Sequence, residues 1–198
     1  MQGIMTKAAL LTAVYLAGSV NFSLLLFRIL RRDDPRNHFS GNAGTTNVYR
    51  QVGLFWAAVI LFLDVGRALI VSQVSLSLFE LKYVPWVGLA LILGNRFPCF
   101  HQFRGGKGVA SYLGFSILIS PIAAALSALM WLGVYGIVRI AFIASIFMVA
   151  VLMLGTIVAC GYQTEAVAGA TATALLILYS HKQNMAVLFG RRISSDPL

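Results

Sequence analysis

The residues best suited to chemistry fall in three polar segments. The central one runs from Asn95 to Ser111, N-R-F-P-C-F-H-Q-F-R-G-G-K-G-V-A-S, and carries Arg96, His101, Arg104 and Lys107. Gly105, Gly106 and Gly108 lack a Cβ, so backbone N–H groups there can approach an anion closely. Lys107 adds a point charge, and the apolar run from Val109 would set a helix N-terminus beside it. Together these features suit a phosphate. A Walker A loop is excluded, because Gly108 stands where that pattern needs Ser or Thr. The same stretch also reads as a basic loop that only fixes membrane orientation.

The first polar segment supplies Ser40 to Asn47, S-G-N-A-G-T-T-N, and then Arg50. Its hydroxyls and amides are donors to an oxyanion, although the same letters make turns and helix caps. The last segment supplies Tyr179, His181 and Asn184, where a lone histidine also suits an interfacial role. Asp64 and Arg67 lie inside an apolar block, three residues apart on one helix face, and can pair. Ionisable residues so placed mark a cavity or a partner, with an ion pair at a helix kink as the bland alternative. There is no metal-ligand spacing, no G-x-S-x-G nucleophile and no pair of carboxylates for acid–base work. Neither a metal nor a cofactor is expected.

The elements that must position these residues follow from composition. The chain has 198 residues, 59% hydrophobic and 11% charged, with a mean hydropathy of +0.85. Soluble domains carry about 25% charged residues, so the fold expected is all-α, a polytopic integral membrane protein forming one domain over 1–198. The net charge of +9 sits in short loops between apolar blocks, a positive-inside pattern rather than a nucleic-acid footprint. Cys99 and Cys160, with no C-x-x-C, argue against a disulfide framework or a zinc site.

In order, Ala8 to Leu30 reads as one span rather than a cleaved leader, Arg31 to Arg50 as a polar loop, and Val52 to Val71 as the second span. Ser72 to Lys82 reads as an outer loop, and Tyr83 to Gly94 as a short third block. Val109 to Val138 is about 30 residues, roughly 45 Å as one helix, against a hydrocarbon core of about 30 Å. Both its flanks are basic, which demands two crossings with a turn near Ser120-Pro121. Ile140 to Ala159 and Ala166 to Tyr179 complete about seven transmembrane helices, N-terminus outside and C-terminus cytoplasmic. All three polar segments then share the cytoplasmic face.

With the motifs laid out, the chain resembles the acyl-phosphate-dependent glycerol-3-phosphate acyltransferases of bacterial membranes. Their pattern R-N-x-G-S-G-N-x-G-A-T-N-x-x-R is similar to Arg36 through Arg50, and G-H-x-x-P-x-F-x-x-F-x-G-G-K-G-V-A-T to Gly94 through Ser111. The pattern H-x-x-N with a later glycine is matched by His181, Asn184 and Gly190; Gly18, Ser19 and Asp64 also fit. The resemblance implies acyl transfer from acyl phosphate to the 1-hydroxyl of sn-glycerol 3-phosphate, giving lysophosphatidic acid and phosphate, in the bacterial inner membrane. It implies catalytic roles for Ser40, Arg50, Lys107, His181 and Asn184. Substrate binding would fall to Asn42, Thr46, Asn47, Arg67, Asn95, Arg104, Gly105, Gly106, Gly108 and Ser111.

On this reading Lys107, the 105–108 backbone, His181 and Asn184 would hold glycerol 3-phosphate. Ser40, Asn42, Thr46, Asn47 and Arg50 would serve the acyl phosphate. The leaving phosphate would act as base, with His181 as the side-chain alternative, and the acyl chain would lie in an apolar groove open to lipid. The expected partners are the two substrates and membrane lipid, with no nucleic acid, and the chain is expected to act as a monomer. Departures from the pattern are Asn95 for histidine, Arg67 for lysine, Thr45 for alanine, Phe39 for glycine, Ile140 and Phe142 where Y-x-S is usual, and Arg192 for glutamate. They frame the alternative: an inactive or repurposed paralog that binds or transports a phosphorylated lipid or metabolite.

Overall fold

The computed structural model describes residues 2–188 and 190. Among these residues there are ten α-helices and no strand. The first apolar block is broken in two, α1 (Gln2–Ser19) and α2 (Phe22–Ile29). Asn21 makes the break: its side chain accepts from Leu24 N at 3.0 Å and caps α2. The span expected over Ala8 to Leu30 is therefore present as Met5–Ile29, built from two helices rather than one.

The polar loop after α2 is also more ordered than its composition suggests. Its second half is a short amphipathic helix, α3 (Thr45–Val52), ended by Gly53 at φ +89, a backbone state few side chains tolerate. The long helix α4 (Leu54–Leu78) follows at once and runs beyond the expected end at Val71. Ser75 and Ser77 keep it helical by donating to the carbonyls of Val71 (2.6 Å) and Gln73 (3.0 Å). A serine whose hydroxyl is satisfied one turn back does not end a helix in an apolar setting.

Next come α5 (Val84–Arg96), α6 (Val109–Ser116) and α7 (Pro121–Val138). The turn expected near Pro121 is present, with Ser120 at the N-cap and the proline in the first turn, where its missing N–H is harmless. The chain closes with α8 (Ala141–Ala159), α9 (Thr164–Ser180) and α10 (Lys182–Leu188). Arg191 and Arg192 lie outside the described residues.

Among the described residues, four segments are long and apolar enough to cross a bilayer: Met5–Ile29, Leu54–Leu78, Pro121–Val138 and Ala141–Ala159. The other apolar helices, α5, α6 and α9, have 13, 8 and 17 residues and fill the space between the longer ones. α1 runs along α5, α4 along α6, α7 along α8 and α5 along α9. The α1–α5 contact is backbone-close: a Cβ on Gly18 would sit 2.3 Å from Leu91 O, and one on Gly94 2.1 Å from Tyr15 O. Such small-residue contacts let helices approach where lipid supplies no hydrophobic drive between them. By contrast α7 turns Ile122, Leu129, Leu132 and Ile137 outward, each more than 60% exposed.

Candidate active site

The three polar segments meet. They wall a cavity of about 510 Å³ together with α4, α6, α7 and α8. All five residues for which the family resemblance implies catalytic roles face it: Ser40 and Arg50 from the first loop and α3, Lys107 from the second loop, His181 and Asn184 from the last segment. Lys107 Nζ donates directly to Asn184 Oδ1, closing 77 residues of chain into one contact.

Side chains behind the wall set the first loop. Asn47 is 1% exposed, and its amide donates to the carbonyls of Pro35 (2.7 Å), Asn42 (2.8 Å) and His38 (3.2 Å). It braces the loop and does not reach the cavity, unlike Asn42 and Thr46, which do. Asn21 ties the same loop to the α1–α2 break through Ala43 O (3.2 Å). Arg36, which sequence reasoning passed over, laces the first loop to the second. It pairs with Asp34 at 2.5 Å and donates to the carbonyls of His101 (3.1 Å) and Arg104 (2.7 Å). Arg104 contributes that carbonyl; its side chain is exposed and off the cavity wall.

The glycine cradle differs from its sequence form. Gly105 N–H donates to Arg96 O (3.2 Å) and Gly106 N–H to Asn95 O (3.0 Å), so neither is free for an anion. Their lack of a Cβ serves close packing instead: Gly105 would place one 2.1 Å from Asn95 O, and Gly106 2.8 Å from Asn95 Oδ1. Gly105 lies off the wall, while Asn95, Gly106 and Gly108 are on it. Gly108 turns the chain at φ +85 into α6, whose opening residues Val109 and Ala110 border the cavity. Their N–H groups are the ones a helix start leaves without intrahelical partners. The donor set for an anion is therefore Lys107 with the α6 N-terminus.

Arg67 lies behind the wall and Asp64 on it, joined at 2.8 Å. The guanidinium also donates to Ser111 Oγ (2.9 Å), to Val20 O and to Ala17 O (3.4 Å). The break between α1 and α2 releases Val20 O, which in lipid needs a donor, while Ala17 O also accepts from Val20 N at 3.3 Å. Arg67 thus fastens the break to α4 and α6, and Ser111 is both wall residue and its acceptor.

His181 is 3% exposed, with Nδ1 2.9 Å from Ile177 O. A carbonyl oxygen only accepts, so Nδ1 carries the hydrogen and Nε2 keeps a lone pair. Burial, with Lys107 and Arg96 close by, lowers its pKa to about 4. Burial beside Arg96 and Arg50 lowers Lys107 to about 8. The imidazole is therefore neutral, and the amine charged, between those values.

Sequence reasoning marked Ile140 and Phe142 only as departures from the family pattern and gave the rest of one wall no role. Arg139, Phe142, Ser145 and Met148 line the cavity from the α7–α8 corner and α8, with Ala128, Trp131 and Leu132 from α7. Trp131 Nε1 donates to Ser145 Oγ at 3.2 Å. Phe142, where the family pattern has a hydroxyl, stands with its ring centroid 6.5 Å from that of His181. Arg139 was legible as a basic flank but gave no sign that it turns inward. The cavity joins a cationic, donor-rich end to an apolar one, and so suits a phosphate ester with an alkyl chain.

Comparison with known proteins agrees with that chemistry. Residues 8–191 match the family model for glycerol-3-phosphate acyltransferase. A glycerol-3-phosphate acyltransferase of Aquifex aeolicus is 36% identical over 173 residues, 86% of this chain and 89% of that protein. One of Anaeromyxobacter is 37% identical over 182 residues, 89% of each. The crystal structure of PlsY, an integral membrane glycerol 3-phosphate acyltransferase, in its glycerol 3-phosphate form superposes with a TM-score of 0.85 at 34% identity, covering 94% of both chains. Its lysophosphatidic acid form gives 0.82 at 32% identity, covering 97% of this chain and 96% of that one. Matched along nearly its whole length in sequence and in fold, the chain belongs to the glycerol-3-phosphate acyltransferase family.

Proposed function

We propose that this protein transfers an acyl group from acyl phosphate to the 1-hydroxyl of sn-glycerol 3-phosphate, releasing lysophosphatidic acid and phosphate. The observation that carries the reading is the Lys107–Asn184 contact in a cavity that Ser40, Arg50 and His181 also face. The bond between the acyl carbon and the phosphate oxygen breaks, and an ester bond to the glycerol oxygen forms. Acyl phosphate is already activated, so the protein needs no nucleophile of its own. It must hold two phosphates and a hydroxyl in register and stabilise charge as it develops.

Lys107, Asn184 and the α6 N-terminus take the phosphate of glycerol 3-phosphate. Ser40, Asn42, Thr46 and Arg50 take the acyl phosphate, beside Asn95, Gly106, Gly108 and Ser111 on the same wall. The hydroxyl proton ends on the released phosphate. His181 suits the hydroxyl better than a phosphate, because its free nitrogen is an acceptor and a phosphate oxygen offers it nothing to accept. Asn47, Arg67, Arg104 and Gly105 then act by holding the loops rather than by touching substrate.

We read 1–198 as one domain that works as a monomer, a reading supported by the described residues enclosing the cavity between their own helices and loops. Basic flanks at Arg104, Lys107 and Arg139 support seven crossings with the site on the cytoplasmic side of the bacterial inner membrane. With Cys99→Ser and Cys160→Ser as the background, single cysteines introduced at Tyr162 and Phe103 should then label from opposite sides of intact vesicles. The activity itself is tested with purified protein and palmitoyl phosphate. Phosphate release should depend on glycerol 3-phosphate, and kcat/KM for it should fall about 10–10²-fold in Lys107→Ala, the loss of one charge-assisted contact to its phosphate. Binding of both substrates with no phosphate release would sink the reading.

A further inference from the structure

A second cavity, of about 420 Å³, lies beside the first and is bordered by Phe27, Arg31, Arg32, His38, Phe39 and Arg50, with Asp33 and Gln51. Arg50 faces both cavities. We propose that this cavity is a separate phosphate-monoester site, sharing Arg50 with the first and sized for the headgroup of a single-chain phospholipid. The inference does not rest on the acyl-transfer reading: apart from the shared Arg50, it concerns residues to which that reaction gives no role.

Charge is the first argument. Three guanidiniums and an imidazole border the cavity against one carboxylate, Asp33. The neighbouring acid, Asp34, is taken by Arg36 at 2.5 Å. Guanidiniums match a phosphate as planar two-donor forks, which scattered lysines do not. Arginines that only set membrane orientation need not surround a cavity; these do.

Backbone is the second. Arg31 and Phe39 both sit in the left-handed region, at φ +51 and +54. Non-glycine residues held there cost about 1–3 kcal/mol each and collect at binding sites. At position 39 the family pattern has glycine, the residue that backbone favours, and this chain places an aromatic rim there instead.

Depth is the third. Phe27 is 2% exposed and forms the apolar floor, while Phe39 and, nearby on α2, Ile29 are 68% and 77% exposed. Exposed apolar side chains beside arginines are what an alkyl chain below an anionic headgroup would meet.

The test uses the full chain in phosphatidylcholine nanodiscs and calorimetric titration with two probes, lysophosphatidic acid and inorganic phosphate. Lys107→Ala serves as the background, so that binding in the first cavity is already weakened. Adding Arg31→Gln with Arg32→Gln should weaken lysophosphatidic acid at least tenfold, the loss of charge-assisted contacts. If inorganic phosphate weakens equally, the site takes free phosphate; if only the lipid does, the alkyl chain is part of recognition. Asp33→Asn, which removes the one opposing charge, should tighten the same probe several-fold and keeps the test alive if the double variant does not fold. Unchanged affinity for both probes in either variant would overturn the proposal.

Discussion

A histidine whose Nδ1 hydrogen is engaged by a helix carbonyl has one nitrogen left for chemistry, and at His181 that nitrogen can only accept while the ring is neutral. Lys107 behaves in the opposite sense, since its function requires the proton. The two shifts therefore bound a plateau. As pH falls through about 4, His181 gains a proton and loses its lone pair. As pH rises through about 8, Lys107 loses its charge. Once the second ionisation of the substrate phosphate, at about 6, is divided out, we expect kcat/KM for glycerol 3-phosphate to be flat between these values and to fall on both sides, measured by phosphate release across a pH series. In His181→Asn the acid limb should disappear while the alkaline limb stays. An acid limb that survives the substitution would mean another group titrates there. At this scale the sequence was informative about residue types and less so about orientation. Nothing in G-G-K-G says that two of its N–H groups close on Asn95 and Arg96, because that depends on where α5 ends. Nor does the spacing separate Asn47, which braces the loop, from Asn42, which faces the cavity.

The helices show where periodicity and composition are enough and where they fail. Pro121 announced its own turn, since proline in a helix start is a local preference that survives burial. The break at Asn21 was hidden because its two flanks are equally apolar, and only the distant donor Arg67 makes it tolerable. That donor was legible in sequence as a costly charge inside a span, but its acceptors were not, since Val20, Ala17 and Ser111 lie 44 to 50 residues away. Arg67 and Asp64 expose only 9% and 12% of their side chains. Arg67→Leu should leave a buried carboxylate unpaired, destabilising by about 3–5 kcal/mol. Removing both charges in Asp64→Leu with Arg67→Leu should recover part of that loss, read as midpoints of thermal unfolding in detergent. Arg67→Lys, the residue usual in the family, should unfold close to the parent but lose contact with Ser111, because one ammonium cannot span three helices. Equal midpoints for Arg67→Leu and the parent would show that the break needs no such fastening.

At the scale of the whole molecule, short helices α5 and α6 are what let polar loops reach the depth at which the apolar helices begin. α6 is only eight residues long, so its N-terminus sits against Lys107 while α7 and α8 continue past it as an apolar wall. A donor-rich end and a greasy end then share one cavity, and α7 and α8, with Leu61 of α4 and Leu113 of α6, border the part that an acyl chain would fill. Ala128 lies about three turns along α7 from Arg139, roughly 16 Å at 1.5 Å per residue. It borders the cavity with the apolar side chains of Trp131, Leu132 and Met148. Ala128→Trp should therefore leave the chemistry intact and obstruct the chain. Each methylene driven from apolar contact costs about 0.8 kcal/mol, so displacing two lowers kcat/KM somewhat more than tenfold. That loss should appear with palmitoyl phosphate and be absent with butyryl phosphate, whose chain ends short of the substitution. The ratio of the two rates is the measurement, because it cancels any general damage to the fold. If both donors slow by the same factor, the acyl chain leaves the cavity by another side, and the apolar face of α7 and α8 serves the bilayer rather than the substrate.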